Sequence, residues 1–549
     1  MKAKIERGGS AARSIGVAGL VVASLSACNC APLGPSGAGQ GWDGRGPAPS
    51  GTALSEALSR SEAGPMRVDC VHRGSGTDYA VGPGQKYARL GDVPFERLGA
   101  GDTVRVHHRA EPYREKLMIG GIGTAEQPIR ICGVPGPGGE LPLLEGRDAT
   151  TRKEQVFPFD GHQARGVIVV GRPNDAPWAH HPSHIVIEGL DIRGAAPPNQ
   201  FIDREGKRTT YAEPAAGVFV QRGSHITVRG CAVSENHNGL FIGSAGDVEL
   251  TIDVLIEGNH VHGNGNPEAW YQHNVYNEAS GVLYQFNRFG PPRGGPRGVL
   301  GGNIKDRSAG IIVRYNWIED GARLLDLVDA QEAVDRTLTM PSYRETWVVG
   351  NVFVRGPVPN GAMIHYGGDS GIMERYRKGT LHFVHNTVVV YNDHYPDWQG
   401  AAVFELSTDE EKLESWNNLY VTSSKPSRRS EIILFGERDQ QVRGRGFSHG
   451  DFFSEGMHVH DTQRAAKLDV TASFEGFDAA MKGGDPGFVD LAGGDFRLKD
   501  DASVLGKGVK LDAVPEERRP TMQYQRHRQG KPRTLGDPPT PGALGRASD

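Results

Sequence analysis

The polar side chains with the greatest potential for chemistry lie close together, between residues 272 and 330. At the centre of this stretch the sequence reads Asn303-Ile304-Lys305-Asp306-Arg307, between two apolar segments at residues 282–289 and 311–318. Alternate residues of a β-strand face opposite sides, so if Ile304 points inward, Asn303, Lys305 and Arg307 share the solvent face. One strand would then present an amide and two cations to a substrate.

The same alternation can be applied to the neighbouring apolar segments. It places further polar side chains on the solvent face, namely Asn274, Tyr276, Glu278, Asp326, His365 and Glu405. If successive strands stack ~4.8 Å apart, one residue from each strand forms a column along a groove that suits an extended polymer. The members of this column are Tyr276, Lys305, Asp326, His365 and Glu405. A slip of one residue in the register would turn each set to the other side.

Eight segments repeat one strand pattern, in which an apolar run leads to a shared position and then to a second short apolar run. The residues at the shared position are Leu190, Cys231, Asn259, Asn287, Asn316, Asn351, Asn386 and Asn418. The six asparagines are 28, 29, 35, 35 and 32 residues apart, and a solenoid accommodates such a variable period by placing insertions in loops. Stacked asparagines at a bend can satisfy one another's buried amides, so we expect them to be structural.

A second set of short strands alternates with the first, with turn residues between them and no helical period of 3.6 residues. Strict alternation of two strand types predicts coils and not hairpins. The predicted fold is all-β, a single-stranded right-handed parallel β-helix, which is a solenoid. Because an open coil is an edge strand, N- and C-terminal caps are expected.

The sequence divides into four parts. Residues 1–28 read as a signal peptide with a lipobox, and residues 29–76, rich in Gly, Pro, Ala and Ser, as a disordered tether. Residues 77–510 form the predicted β-helix domain. Residues 511–549 form a C-terminal extension that is expected to be partly loose.

The N-terminus carries an export signal, a basic segment followed by a short apolar run that ends in Leu25-Ser26-Ala27-Cys28. The run is too short to cross a bilayer as a mature helix. Leu-Ser-Ala-Cys resembles the bacterial lipobox, whose cysteine becomes the lipidated N-terminus, although a plain secretory signal with an incidental cysteine is the alternative. We therefore predict lipidation at Cys28 and anchoring to the bacterial cell envelope, at the outer membrane or cell surface, and otherwise a secreted or periplasmic protein.

Charge and cysteine usage narrow the function further. The net charge of −5 provides no electrostatic case for binding nucleic acid, so a charged substrate must be held locally. Export makes a disulfide possible, and Cys70 with Cys132 is the favoured pair, while free buried thiols are an equal alternative. No Cys-x-x-Cys pair or His-rich helix suggests zinc.

The repeats, together with the segments HNVY, NIKDRS, VRYNWIEDG and LDLVD, resemble the pectate-lyase-like superfamily of right-handed β-helices, and specifically bacterial polysaccharide-degrading proteins. The resemblance covers roughly residues 78–508. It implies a monomer that acts on an acidic polysaccharide, by β-elimination on a uronic-acid polymer. Because this architecture also hosts hydrolases, epimerases and binding proteins, the resemblance is more specific for the fold than for the reaction.

In such lyases a Lys or Arg removes the proton beside the carboxyl carbon, while a cation, often calcium, neutralises the carboxylate. The resemblance implies that Lys305 is the base, Arg307 the carboxylate or oxyanion partner, and His273 a candidate acid or base. Arg288 or Arg323 from a neighbouring coil are alternative partners. The implied substrate-binding residues are Asn274, Tyr276, Asn303, Asp326, His365 and Arg323, and the candidate calcium ligands are Glu278, Asp326 and Asp329.

Two other classes of function stay open. A glycoside hydrolase needs two carboxylates, and Asp326 and Glu405 lie two coils apart, roughly 9.6 Å, which is near the separation for inversion. A non-catalytic glycan-binding or adhesive β-helix would use aromatic side chains as sugar platforms. The candidates for those platforms are Trp270, Tyr271, Tyr276 and Trp398.

Overall fold

The computed structural model describes residues 68–246, 250–295, 298–356, 361–394, 400–426, 432–436, 441–460 and 469–549. The predicted signal peptide, Cys28 and most of the predicted tether lie outside these residues. Among the helices that the structure describes, none is long and apolar enough to cross a membrane.

Three long sheets contain most of the strands, and in the regular middle part of the chain each coil adds one strand to each sheet in turn. Sheet 1 contains, in spatial order, Asp78–Val81, Thr103–His107, Ile129–Val134, Ser183–Glu188, Ser224–Arg229, Ile252–Glu257, Ser280–Gln285, Ala309–Arg314, Glu345–Val349, Thr380–Val384, Lys412–Trp416, Arg445–His449 and Ser473–Glu475. Sheet 2 contains Arg208–Thr210, Gln200–Ile202, Ala149–Thr151, Glu115–Ile119, Gly166–Val170, Ala216–Val220, Asn238–Ile242, Val275–Asn277, Ile304–Asp306, Leu325–Leu327, Ile364–Tyr366, Ala401–Leu406 and Ile432–Phe435.

Sheet 3 completes each coil. It contains Met481–Gly483, Phe452–Ser454, Leu419–Thr422, Thr387–Val390, Val352–Arg355, Trp317–Glu319, Arg288–Phe289, His260–Val261, Ala232–Ser234, Asp191–Arg193 and Leu143–Glu145. Strands of successive coils pair in parallel, as in Ser280–Gln285 with Ala309–Arg314. The predicted right-handed parallel β-helix is therefore confirmed.

Two-stranded pairs and short helices lie outside the three long sheets. Two-stranded pairs are formed by Gly294–Gly295 with Gly298–Val299, Gln441–Val442 with Asp469–Val470, Phe488–Asp490 with Asp495–Leu498, and Met522–Gln525 with Gln529–Pro532. The described helices are the α-helix Val334–Leu338 and the 3-10 helices Leu90–Asp92, Phe95–Arg97, Asp160–Arg165, Pro341–Arg344, Met373–Arg375, Asn392–His394 and Glu516–Arg518. Most insertions therefore stand between strands, which leaves the coils regular.

The repeated asparagines line the bend between sheet 1 and sheet 3. Asn316 is typical: its Oδ1 accepts hydrogen bonds from the backbone N–H of Asn287 at 2.9 Å and from Asn287 Nδ2 at 3.0 Å. The ladder starts at the N–H of Cys231 and ends at Asp451, which accepts from Asn418. The structural role predicted for these asparagines is confirmed, and Asp451 is a further rung that the repeat pattern did not include.

The same bend shows that residues 282–289 and 311–318 were wrongly predicted as single strands. Each is two strands in different sheets, because the residue before the asparagine has a left-handed backbone, with φ of 56° at Phe286 and 55° at Tyr315. Apolar residues continue through the bend because both flanking strands point side chains into the same core. Inside the coils, Val282, Ile311, Val313 and Ile318 are fully buried in one large cluster.

The N-terminal boundary of the domain lies earlier than residue 77. Cys70 and Cys132 form the favoured disulfide, with Cα atoms 5.5 Å apart, while Cys231 is a buried free thiol. Arg130 donates to the carbonyls of Asp69 and Val71. Residues 68–76 are therefore held against the first coils and are not part of a tether.

The C-terminal extension is packed where a partly loose segment was expected. Leu511 and Val514 are buried with Val349 and Val384, and Met522 is buried with Phe286 and Tyr315. Trp317 contacts Tyr524, with ring centroids 6.1 Å apart. The extension therefore covers apolar residues that sheets 1 and 3 and their bend leave outside the coils, which is why these positions tolerate large apolar side chains.

Candidate active site

A column of polar side chains runs along the outer face of sheet 2, in the predicted register. Tyr276 lies opposite Lys305, Lys305 opposite Asp326, Asp326 opposite His365, and His365 opposite Glu405. The inward neighbours Ile304, Leu325 and Ile364 are fully buried in the core. The predicted column is confirmed, and its strands are only three residues long from Val275–Asn277 to Ile364–Tyr366.

Lys305 and Arg307 meet at a single carboxylate, that of Asp369. Arg307 Nη1 lies 3.0 Å from Asp369 Oδ1 and its Nη2 donates to Oδ2 at 3.3 Å, so the guanidinium holds both oxygens. The Lys305 ammonium forms a short ion pair with the same Oδ2 and a second ion pair with Asp326 Oδ2 at 2.7 Å. Burial would raise the pKa of Asp369, but Lys305 and Arg307 lower it to about 2, so this carboxylate is ionised.

Arg307 is a buried cation, with 4% of its side chain exposed. Burial alone would lower its pKa, but Tyr276, Asp369 and Glu278 outweigh burial and hold the pKa above its usual range. Its Nη1 also donates to the Asp329 carbonyl at 2.6 Å. The guanidinium is therefore fixed in position and permanently charged, as recognition of a carboxylate requires.

Asp326 contacts three basic side chains of the site. Its Oδ2 accepts from Lys305, and its Oδ1 lies 2.7 Å from His365 Nδ1 and 3.7 Å from Arg323 Nε. Burial would raise its pKa, but Lys305, Arg323 and His365 hold the pKa well below its usual range. Arg323 also pairs with Glu405 at 2.7 Å, so it belongs to the site, whereas Arg288 pairs with Glu319 on sheet 3 and does not.

His273 lies beside the column as a neutral imidazole. Burial, followed by the charge of Lys305, lowers its pKa to about 3. Its Nδ1 accepts from the Gly302 N–H at 3.1 Å, which leaves the ring proton on Nε2. The side chain can therefore donate a hydrogen bond, and this geometry favours a positioning role over the proton transfer expected from the sequence.

Asn274 and Asn303 are corrections to the predicted substrate-binding set, because both are fully buried. They form a second ladder, in which Asn264 donates to Asn274 Oδ1 at 3.0 Å and Asn274 donates to Asn303 Oδ1 at 2.7 Å. Both residues precede the three-residue strands of sheet 2, so the in/out alternation does not extend to them. Their amides hold a bend together and do not face a substrate.

The predicted calcium ligands do not converge. Glu278 accepts from the Tyr276 hydroxyl and from the N–H of Gln331, while Asp329 Oδ1 accepts from the N–H of Asp369 at 2.8 Å. Within the described ranges, no group of three or more His, Cys, Asp or Glu side chains is placed to hold a metal ion. The set Glu278, Asp326 and Asp329 is therefore not assembled, and no step of the chemistry is assigned to calcium.

Two residues of the site were not predicted. Asp369 lies in the loop after Ile364–Tyr366, and Ser407 directly follows Ala401–Leu406, with its Oγ 2.9 Å from His365 Nε2. Strand alternation gives no signal for either one, since both lie beyond the ends of their strands. Of the predicted aromatic platforms, Tyr271 is 81% exposed, Tyr276 stacks on Phe241 within the column at 4.6 Å, and Trp398 lies outside the described residues.

The fold and the site define a right-handed parallel β-helix protein with a column of charged side chains on one outer sheet. No family model matches the sequence, and no curated protein matches it. Among solved structures, it is similar to an alginate lyase from Paenibacillus sp. str. FPU-7, at 13% identity over 62% of this chain and 93% of that chain with a TM-score of 0.38. It is also similar to pectate lyase Pel9A, at 12% identity over 87% and 98% with a TM-score of 0.38.

A third similar structure is the DFA-IIIase from Arthrobacter chlorophenolicus A6 in complex with GF2. Its identity is 15% over 80% of this chain and 89% of that chain, with a TM-score of 0.33. At these identities the likeness to all three proteins concerns the fold alone.

Proposed function

We propose that the protein is an exported enzyme that degrades an acidic polysaccharide and cleaves a uronic-acid polymer by β-elimination. The observation that carries this proposal is the carboxylate of Asp369, which Arg307 and Lys305 hold together. The Asp369 side chain is 29% exposed and follows the strand end, whereas Asp326 is 9% exposed. A uronate carboxylate that bound at the column would take the position of Asp369.

The charges in the site favour replacement of a protein carboxylate by the sugar carboxylate over binding of the sugar as an additional anion. Lys305, Arg307 and Arg323 are paired with Asp326, Asp369 and Glu405, and Glu278 and Asp329 also lie 3.8 Å and 3.7 Å from Arg307, so carboxyl groups outnumber cations. An anionic sugar would add to this excess unless one of the carboxylates leaves. Arg323 Nη1 is buried without a hydrogen-bond partner among the described residues, and it offers the incoming sugar a further donor.

The same geometry places the groups needed for elimination. Arg307 would bind both oxygens of the uronate and stabilise the charge that develops there when the neighbouring C–H proton leaves. Lys305 contacts the same carboxylate position, so its amine lies beside the carbon that carries this proton. Once Lys305 has lost its own proton, it accepts the C–H proton, a C=C bond forms, the C–O bond to the next sugar breaks, and the departing oxygen takes a proton from solvent water.

Incubation with uronic-acid polymers distinguishes the possible functions. Elimination produces an unsaturated sugar that absorbs in the ultraviolet together with new reducing ends, whereas hydrolysis produces reducing ends alone. A binding protein produces neither and retains the polymer. We expect ultraviolet absorbance, and reducing ends without absorbance would reject elimination.

One contact favours hydrolysis as the second candidate. Arg323 lies 2.7 Å from Glu405 and 3.7 Å from Asp326, so one guanidinium brings two carboxylates of the column together. Two carboxylates in one site can act as acid and base on a glycosidic bond. If hydrolysis is the reaction, Asp326→Asn and Glu405→Gln will each abolish it while Lys305→Ala retains most of it.

Removing the internal carboxylate should strengthen substrate binding. In an Asp369→Ala variant, Lys305 and Arg307 no longer pair with Asp369, so we expect KM for a uronate polymer to fall severalfold. The backbone N–H of Asp369 that bonds to Asp329 is kept. Initial-rate kinetics measure the change, and Asp335→Ala, at the exposed position of the α-helix Val334–Leu338, is the control. An unchanged or higher KM would show that substrate does not replace Asp369.

Export and lipidation are tested at Cys28, which lies outside the described residues. The basic segment, the apolar run and Leu25-Ser26-Ala27-Cys28 together support a lipid anchor. We expect the wild-type protein in the membrane fraction and a Cys28→Ala variant outside it, as judged by fractionation and immunoblotting. The same distribution for both proteins would reject lipidation at this cysteine.

A further inference from the structure

Ser407, His365 and Asp326 form a continuous chain of hydrogen bonds on the outer face of sheet 2. Asp326 Oδ1 lies 2.7 Å from His365 Nδ1, and His365 Nε2 lies 2.9 Å from Ser407 Oγ. His365 and Asp326 are buried, while Ser407 is half-buried. Elimination by Lys305 and Arg307 makes no use of this serine.

The partners of the imidazole fix its tautomer. Asp326 is ionised and can only accept, so His365 Nδ1 carries the proton that bonds to it. In the tautomer with its proton on Nδ1, His365 presents the Nε2 lone pair to the Ser407 hydroxyl, which also has the carbonyls of Gly368 at 3.1 Å and Tyr366 at 3.4 Å as acceptors. A histidine that is oriented by a carboxylate and accepts a proton from a serine is the arrangement that activates a serine nucleophile.

The chain around Ser407 is shaped to admit its hydroxyl. Gly367 has φ of 136°, and a Cβ atom at this position would lie 2.5 Å from Ser407 Oγ. The N–H of Gly368 points at Ser407 Oγ from 2.9 Å. This N–H is a donor available to the oxyanion that forms when a carbonyl carbon bonds to Oγ.

We propose that Ser407 is the nucleophile of a second activity, the removal of O-acyl esters such as acetyl groups from the sugars bound in the groove. Ser407 Oγ attacks the acyl carbon and gives its proton to His365 Nε2, which passes it to the departing sugar hydroxyl. Water then attacks the acyl-serine, again losing a proton to His365, and a carboxylic acid leaves with Ser407 restored. The choice of an acylated acidic sugar rests on the proposed function, whereas the reactivity of Ser407 does not.

A fluorophosphonate probe tests the nucleophile directly on the full-length protein. We expect one adduct per chain, mapped by peptide mass spectrometry to Ser407, and none in Ser407→Ala. His365→Gln should slow labelling by roughly a hundredfold or more, because the serine loses its base. Ser370→Ala is the matched control, since Ser370 lies in the adjacent loop, its Oγ accepts from the N–H of Ile372, and labelling should proceed at the wild-type rate.

A second variant, Ser407→Cys, tests the nucleophile even if Ser407→Ala fails to fold. Ser407→Cys keeps a nucleophile beside His365, and iodoacetamide should alkylate it faster than the same variant carrying His365→Gln. The buried thiol of Cys231, whose pKa burial raises to about 12, should stay unmodified in the folded protein. No adduct at Ser407 in folded protein, or labelling that is independent of His365, would overturn the nucleophile.

The substrate is tested with p-nitrophenyl acetate and with an O-acetylated uronate polymer, by following nitrophenolate and acetate release. We expect both to be lost in Ser407→Ala and in His365→Gln. Labelling at Ser407 without acetate release from the polymer would reject the ester as substrate. These measurements need no chain cleavage, so their failure is distinguishable from failure of β-elimination.

Discussion

Replacing Lys305 with alanine or with arginine should lower the rate of elimination by roughly 10²–10⁴-fold, the contribution of a general base. Alanine removes the base. Arginine keeps the positive charge and fits the ion pairs with Asp326 and Asp369, but a guanidinium keeps its proton at any ordinary pH and cannot accept another. The initial rate of ultraviolet absorbance on a uronate polymer measures both variants.

The control for this experiment is Lys412→Ala. Lys412 is also an ion-paired lysine, but it starts a strand of sheet 1 and pairs with Glu414, away from the column. Its loss should leave the elimination rate unchanged. If Lys305→Arg retains most of the rate while Lys305→Ala does not, Lys305 binds the carboxylate as a cation and the base is another residue.

The sequence was sufficient to predict the column because a parallel β-helix repeats both its strand pattern and its register. Once the inward residues Ile304, Leu325 and Ile364 are recognised, the strand geometry dictates which side chains lie outside. Parallel pairing without slips then stacks them in order, from Tyr276 to Glu405. The asparagine ladder was predictable for the same reason, since one residue type recurs at one bend.

Contacts made beyond the strand ends could not be predicted in this way. Asn274 and Asn303 turn inward because the bend before each strand reverses the alternation that holds within it. Asp369 and Ser407 enter the site from segments that follow two different strands, and in the first of these Gly367 has φ of 136°. No repeat in the sequence predicts the path of either segment. The ion pair of Lys305 with Asp369 depends on such a turn, so this partner was apparent only from the structure.

The C-terminal extension was misjudged for a different reason. Its apolar residues are few and widely spaced, so the segment has no period from which packing can be inferred. Tyr524 and Leu544 nevertheless become buried, because Trp317 and Leu419 present apolar surface outside the coils for them to cover. The packing of this extension depends on the shape of the surface outside the coils. The local sequence pattern therefore does not predict it.

The largest loss of stability is expected from the middle of the asparagine ladder. Asn316 Nδ2 donates to the carbonyls of Tyr284 and Arg314 and to Asn351 Oδ1, and its Oδ1 accepts two hydrogen bonds from Asn287. All three asparagines are fully buried, so water cannot replace the missing partners. Each buried group left without a partner costs ~1–3 kcal/mol.

An Asn316→Ala variant should therefore be destabilised by roughly 2–6 kcal/mol, since at least two buried groups lose a partner. Asn316→Asp should be no better, because it keeps an acceptor for Asn287 but directs a carboxylate oxygen at Asn351 Oδ1 and at two carbonyls. Denaturant unfolding of both variants measures the change in the free energy of unfolding. Asn266→Ala, which removes a single exposed hydrogen bond to the N–H of Glu268, is the control and should lose less than about 1 kcal/mol. The folded fraction of each Asn316 variant should retain its activity, and a variant with wild-type stability and no activity would instead give Asn316 a role in the chemistry.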